Sequence, residues 1–233
     1  MDGLVNQPKV FIAVLCGPER YQWIVPDLML RLLETQHLRD ITVEVRTVFG
    51  VYGYDAARNR AVEMFLQSDA DWLCMIDNDN IPPADFLRHV MEFAEQFSVR
   101  HTNRPSVDIV GLPYYERPNP ASPESLKLGI RWDGVRSLSP GWQEVLAVAA
   151  GCMFISRRVL HELPKPWFQI WTENIKRNFG GGEDFDFCLR ARQAGFSIWA
   201  NTGLLVDHYH TVSLSAAASL IRGGLGPCPN SDA

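Results

Sequence analysis

The sequence predicts an α/β fold, a parallel sheet with helices on both faces, on three observations. From Lys9 to Leu112, short apolar runs rich in β-branched residues alternate with helix-like stretches, the order that builds such a sheet. Lys9–Leu15 and Trp72–Ile76 are unbroken apolar runs rather than alternating ones, as strands covered on both faces are. The second run ends in Asp77-Asn78-Asp79, and in these sheets ligands sit outside the carboxyl ends of the strands.

Taken in order, Lys9–Leu15 is a first strand, broken by Cys16-Gly17-Pro18-Glu19-Arg20. Pro26 and Asp27 suit the first turn of a helix to about Thr35, with Leu28, Leu32 and Leu33 inward. Ile41–Phe49 is a second strand, ended by Gly50-Val51-Tyr52-Gly53. Asp55 caps a helix to about Gln67 that buries Ala57, Ala61 and Phe65. After Trp72–Ile76, Pro83 and Asp85 open a helix to about Phe97, and Val107–Leu112 is the next strand. Pro113–Pro140 is rich in proline, serine and glycine and too long for an ordinary connection, which predicts a functional or mobile loop.

Glu144–Ser156 is apolar about Gly151, the pattern of two strand segments meeting at a bend. One or two helical turns from Arg157 to Leu163 precede a loop at Pro164–Phe168. Gly180-Gly181-Gly182 leads into Glu183-Asp184-Phe185-Asp186, the start of a helix to Ala194 closed by Gly195. Phe196–Trp199 and Leu204–Val206 are short strands, Leu214–Ile221 is a short helix, and the tail from Gly223 frays. The organisation expected is a single domain over 1–222, with halves at about 8–112 and 113–222 and a flexible tail at 223–233.

Composition narrows the class. Hydrophobic residues make up 46% and charged ones 21%, which suits a folded globular chain. The net charge of −5 and the lack of a basic block favour no nucleic-acid partner. Cys16, Cys74, Cys152, Cys188 and Cys228 contain no CxxC pair, and the first four lie in apolar settings, as thiols of a reducing compartment do. The N-terminus lacks a charged-then-apolar leader, and no apolar run reaches the ~20 residues of a membrane span. A cytoplasmic protein is the expectation.

Four polar groups carry chemistry. Asp77 and Asp79 project the same way from an extended chain. Side by side they repel unless a cation or donor intervenes, so they suit a divalent ion bridging to phosphates or, alternatively, an acidic helix-capping turn. Glu183, Asp184 and Asp186 either complement the helix dipole as ordinary first-turn acids or, being more than a cap needs, supply a carboxylate on a rigid helix start that suits a general base. His208 and His210 lie two apart, and either imidazole can complete a metal site or stand as an ordinary hydrogen-bonded histidine. Arg58, Asn59 and Arg60 form a solvated helix face unless Arg58 reaches a phosphate. Loop aromatics, Tyr114 and Trp171 among them, can pack the core or form platforms for a sugar.

Ala56-Ala57-Arg58-Asn59-Arg60-Ala61, Asp77-Asn78-Asp79, Gly151–Arg157, Gly182–Cys188 and His208 occur in that order. Their order resembles the nucleotide-diphospho-sugar glycosyltransferases of the glycosyltransferase A fold, in the broad family-2-like group, over about Val10 to His210. The resemblance implies a Rossmann-like, mostly parallel sheet for the nucleotide and a smaller acceptor-side C-terminal part. It implies that Asp77 lies at the ribose or metal side, that Asp79 ligates Mn²⁺ or Mg²⁺, and that His208 closes the metal site with His210 as its competitor. It also implies donor contacts from Arg58 and from Cys16 and Gly17 in the first loop, which departs from the usual proline-x-tyrosine-asparagine wording. Asp184 matches the base of inverting members, beside Glu183 on the acceptor or sugar side.

The function expected is transfer of a sugar from a UDP- or GDP-sugar to an acceptor hydroxyl, inverting through Asp184. A retaining transferase and an inactive nucleotide-sugar- or glycan-binding protein are the alternatives on the same fold. A haloacid dehalogenase phosphatase also places two aspartates after a strand, but near its N-terminus and before a threonine or valine, whereas Asn80-Ile81 follows here.

Overall fold

The computed structural model describes residues 7–17, 26–100, 106–115, 128–132, 139–170 and 182–209. His210, Gly180, Gly181, the loop residues Pro18–Arg20, the helix expected at Leu214–Ile221, the tail and much of the 113–140 loop lie outside them. Its strands are β1 (Lys9–Leu15), β2 (Thr42–Val48), β3 (Trp72–Asp77), β4 (Asn80–Ile81), β5 (Ile109–Gly111), β6 (Ile130–Arg131), β7 (Trp142–Glu144), β8 (Ala147–Val148), β9 (Cys152–Ser156), β10 (Ile198–Asn201) and β11 (Asp207–His208). Its helices are α1 (Pro26–Thr35), α2 (Tyr54–Leu66), α3 (Phe86–Arg100), α4 (Arg157–Glu162) and α5 (Glu183–Gln193).

Seven strands form the central sheet in the order β2-β1-β3-β9-β5-β10-β7. β9 runs antiparallel to both β3 and β5, and β7 antiparallel to β10. The other five strands share one direction. The mostly parallel α/β sheet expected from the sequence is therefore present, with β9 from the second half of the chain inserted at its centre.

The unbroken apolar runs are explained by helices on both faces. On one face Phe11, Ala13, Leu73 and Met75 pack with Phe65 of α2 and Phe187 of α5. On the other, Val10, Ile12, Cys74 and Ile76 pack with Leu28 of α1 and with Phe86 and Val90 of α3. Successive residues of one strand thus serve opposite cores, and each fully buried Leu, Ile or Phe contributes roughly 1.5–3 kcal/mol of apolar transfer.

Several boundaries differ from expectation for physical reasons. α1 buries Leu28, Leu32 and Thr35, while Leu33 is half exposed, because the 3.6-residue period turns it about 100° from Leu32. Asp55 is not the cap of α2: Gly53 takes that position at φ 90°, a conformation natural to glycine. Glu144–Ser156 holds the two expected strand segments, β8 and β9, on either side of the turn at Gly151, but they join different sheets: β8 pairs with β6, and β9 enters the central sheet. Leu204–Val206 is not a strand. The pairing segment is Asp207–His208, antiparallel to β4.

Candidate active site

The carboxyl ends of β1 and β3 and the N-terminal ends of α2 and α5 enclose a cleft of about 630 Å³. Cys16, Gly17, Arg58, Asp77, Asp79, Glu183, Asp184 and His208 all line it, with Tyr54, Asn78 and Tyr114. The fold collects these residues by register. Asp77 ends β3 opposite Leu15 of β1, and β9 enters beside it, so that the Asp77 N–H donates to the Gly151 carbonyl at 3.0 Å.

Arg58 ties the cleft together. It is 4% exposed, and so is no part of a solvated face. Its Nε donates to Glu183 Oε1 at 2.9 Å, Nη1 to Asp77 Oδ1 at 3.2 Å and the Ala150 carbonyl at 3.3 Å, and Nη2 to Asp77 Oδ2 at 3.4 Å. Burial opposes its charge, but Asp77, Glu183 and Asp184 outweigh that and raise its pKa. The neighbouring Asn59 and Arg60 do other work. Asn59 donates to the carbonyls of Asp55 and Phe168 and accepts from the N–H groups of Trp167 and Phe168, while exposed Arg60 pairs with Glu63.

The acids of α5 divide in the same way. Glu183 is buried against Arg58. Asp186, 2% exposed, pairs with Arg190 at 2.8 Å on the protein side of the helix. Asp184 is half-buried and lines the cleft, accepting from the N–H of Phe185 at 2.8 Å and of Ala150 at 3.2 Å. Burial and the neighbouring Glu183 push its pKa up to about 6, against the opposing pull of Arg58 and the two N–H bonds. Burial also raises Asp77, opposed by Arg58, and pushes the Cys16 thiol up to about 11, leaving it neutral.

Asp79 meets His208. The β4–β11 pairing puts His208 opposite Asn80, and the Tyr209 N–H donates to the Asp79 carbonyl at 2.8 Å. His208 Nδ1 lies 3.1 Å from the Tyr115 carbonyl and must carry the proton there, which directs Nε2 toward Asp79 Oδ2 at 3.6 Å. Tyr114 packs edge-on against the imidazole. That separation is long for a hydrogen bond and accommodates a cation between nitrogen and carboxylate. Asp77, by contrast, directs both oxygens to Arg58. Among the described residues no group of three or more His, Cys, Asp or Glu side chains could hold a metal alone, so further ligands would come from water or substrate.

Sequence reasoning read Gly151 as a bend between strands but missed its close approach to Asn80. A Cβ at Gly151 would stand 2.1 Å from Asn80 Nδ2 and 2.6 Å from Tyr114 Cε1. The missed signal was the small-residue run Ala147–Gly151 immediately before a buried strand, which marks close backbone approach.

A mostly parallel sheet with an acid-lined cleft at its strand ends is the glycosyltransferase A arrangement. The family model described as glycosyltransferase like family 2 matches residues 29–222, and the chain belongs to that family. In general terms it is a nucleotide-sugar glycosyltransferase. Among solved structures, A197 from STIV aligns at TM-score 0.56 with 20% identity, over 88% of this chain and 86% of that one. CMP:2-keto-3-deoxy-manno-octonic acid synthetase complexed with CTP aligns at 0.48 with 14% identity, over 93% and 98%. GalNAc-T7 with UDP, GalNAc and Mn²⁺ also gives 0.48 and 14%, over 88% of this chain and 44% of that one. No curated protein matches the chain. Among the described residues no helix is long and apolar enough to cross a membrane.

Proposed function

We propose that the chain transfers a hexose from a UDP- or GDP-sugar to an acceptor hydroxyl with inversion, Asp184 acting as general base. The observation that carries this is the placement of Asp184 in the cleft that also holds the Asp79–His208 pair. Its carboxyl, with a pKa near 6, is ionised at neutral pH yet basic enough to take a proton as the acceptor oxygen attacks the anomeric carbon. The N–H groups of Ala150 and Phe185 hold both its oxygens.

The donor half is assigned to Asp77, Asp79, Cys16 and Gly17. Asp79 and His208 offer one carboxylate oxygen and one imidazole nitrogen, which suit Mn²⁺ or Mg²⁺. When bound, such an ion supplies Lewis-acid neutralisation of the departing nucleoside diphosphate. Cys16 and Gly17, at the end of β1, flank the nucleoside: the neutral thiol adds no charge there, and a Cβ on Gly17 would meet nothing within 4 Å. Tyr54 and Tyr114 add aromatic surface to the cleft wall.

The test is a thermal-shift screen of UDP- and GDP-sugars with and without Mn²⁺, followed by proton NMR of the first-formed anomer. Ligands that bind only the native state raise its melting temperature. Stabilisation dependent on Mn²⁺ and an inverted product support the proposal. Binding without transfer to any acceptor identifies a nucleotide-sugar-binding protein, and a retained anomer removes Asp184 as base.

A further inference from the structure

Glu183 and Asp184 are adjacent acids, yet the structure treats them differently. Successive helical residues diverge by about 100°. Glu183, buried in the cleft wall, is held by Arg58 Nε, whereas Asp184, half-buried in the same cleft, accepts from the backbone N–H groups of Ala150 and Phe185. A guanidinium has five N–H donors, and four hydrogen bonds from Arg58 already go to Glu183, Asp77 and the Ala150 carbonyl. One Nη2 N–H lies outside these four bonds, while Nε could be taken by another group only by displacing the buried Glu183 carboxylate, and an unpaired buried carboxylate is costly.

We propose that Arg58 is a positioning residue: it clamps Glu183 and Asp77, and so leaves Asp184 as the acid presented to the acceptor. This rests on the transferase reading for its meaning but not for its test. The groups surrounding Asp184 are Glu183, Asp186 and Cys188 on its own helix, Arg58 from α2 and Asp77 from β3. Of these, Glu183 and Arg58 act on the Asp184 carboxyl with opposite sign. Removing them singly should therefore move its titration in opposite directions.

The experiment is a ¹³C-carboxyl NMR titration of metal-free protein, with the Asp184 resonance assigned by its loss in Asp184→Asn. Glu183→Gln, which keeps the Arg58–Asp77 pair, should lower the Asp184 midpoint by about one pH unit, and Arg58→Met should raise it by about as much. The charge-balanced R58M/E183Q protein should return it toward wild type. In turnover, the acid limb of the pH profile should move with the midpoint in Glu183→Gln.

An unmoved midpoint in Glu183→Gln overturns the proposal, and so does a double variant whose midpoint stays where Glu183→Gln leaves it. Should Arg58→Met fail to fold, Glu183→Gln alone decides the titration. If wild-type protein transfers no sugar, the transferase reading fails while the titration still reports on the clamp.

Discussion

His208 Nε2 lies 3.6 Å from Asp79 Oδ2, and the Tyr115 carbonyl, 3.1 Å from Nδ1, sets which ring nitrogen faces the carboxylate. Two short strands, β4 and β11, bring the residues together.

If this pair holds the donor's cation, Asp79→Ala and His208→Ala should each abolish the Mn²⁺-dependent part of nucleotide-sugar binding. Calorimetry with and without Mn²⁺ checks this, and unchanged affinity with metal in either variant removes that residue as a ligand. His210 offers the control: His210→Ala should leave metal-dependent binding intact.

Asp184→Asn should lower kcat by about 10²–10⁴-fold while sparing donor affinity. In wild type the acid limb of the rate profile should fall near pH 6. Near-normal turnover in the variant is incompatible with a base at this position.

The same carboxyl has a stability signature. Its folded pKa of about 6 exceeds the ordinary 3.8, so the folded state holds the proton more tightly than the unfolded one. Its favourable contribution is complete below pH 3.8 and is lost as pH rises through about 6. A shift of this size corresponds to about 1–3 kcal/mol after allowance for solvent screening. Asp184→Asn should therefore exceed wild type in stability at pH 7.5, with the gap closing toward pH 4.5. Urea unfolding at the two pH values measures it.

Gly151→Ala should destabilise the fold by about 1–3 kcal/mol, since its Cβ must displace Asn80 and Tyr114. Because the Gly151 carbonyl also accepts the Asp77 N–H, donor affinity should fall as well. A variant with wild-type melting temperature and affinity would show that the neighbours yield freely.

Asn59→Leu tests a structural role beside the cleft. Losing four hydrogen bonds to Asp55, Trp167 and Phe168 should cost about 2–4 kcal/mol, with polar backbone groups left unpaired. Thermal unfolding reads the loss, and nucleotide affinity of the folded protein should be unchanged.

Much of the outline was legible because it is local. Trp72–Ile76 announces a strand covered on both faces, and Asp77 and Asp79 must then stand at its end. Pro26 and the acids before Phe185 mark helix starts through backbone and capping preferences that operate within a few residues. The ordered motifs likewise pointed to the family before any contact was known.

Tertiary structure alone decided the partnerships, because they join residues that no short-range periodicity relates. Arg58 reads as a helix-surface cation until Glu183, 125 positions away, and Asp77 are packed around it. The insertion of β9 beside β3 carries the Ala150–Gly151 peptide to Asp77, Arg58 and Asp184. His208 reaches Asp79 through a two-residue strand pairing too short to leave a pattern of its own. The sequence by itself determined which chemical groups exist and which elements carry them. Burial and long-range pairing determined that Arg58 holds Glu183 and Asp77, while Asp184 is held in the cleft by backbone N–H groups.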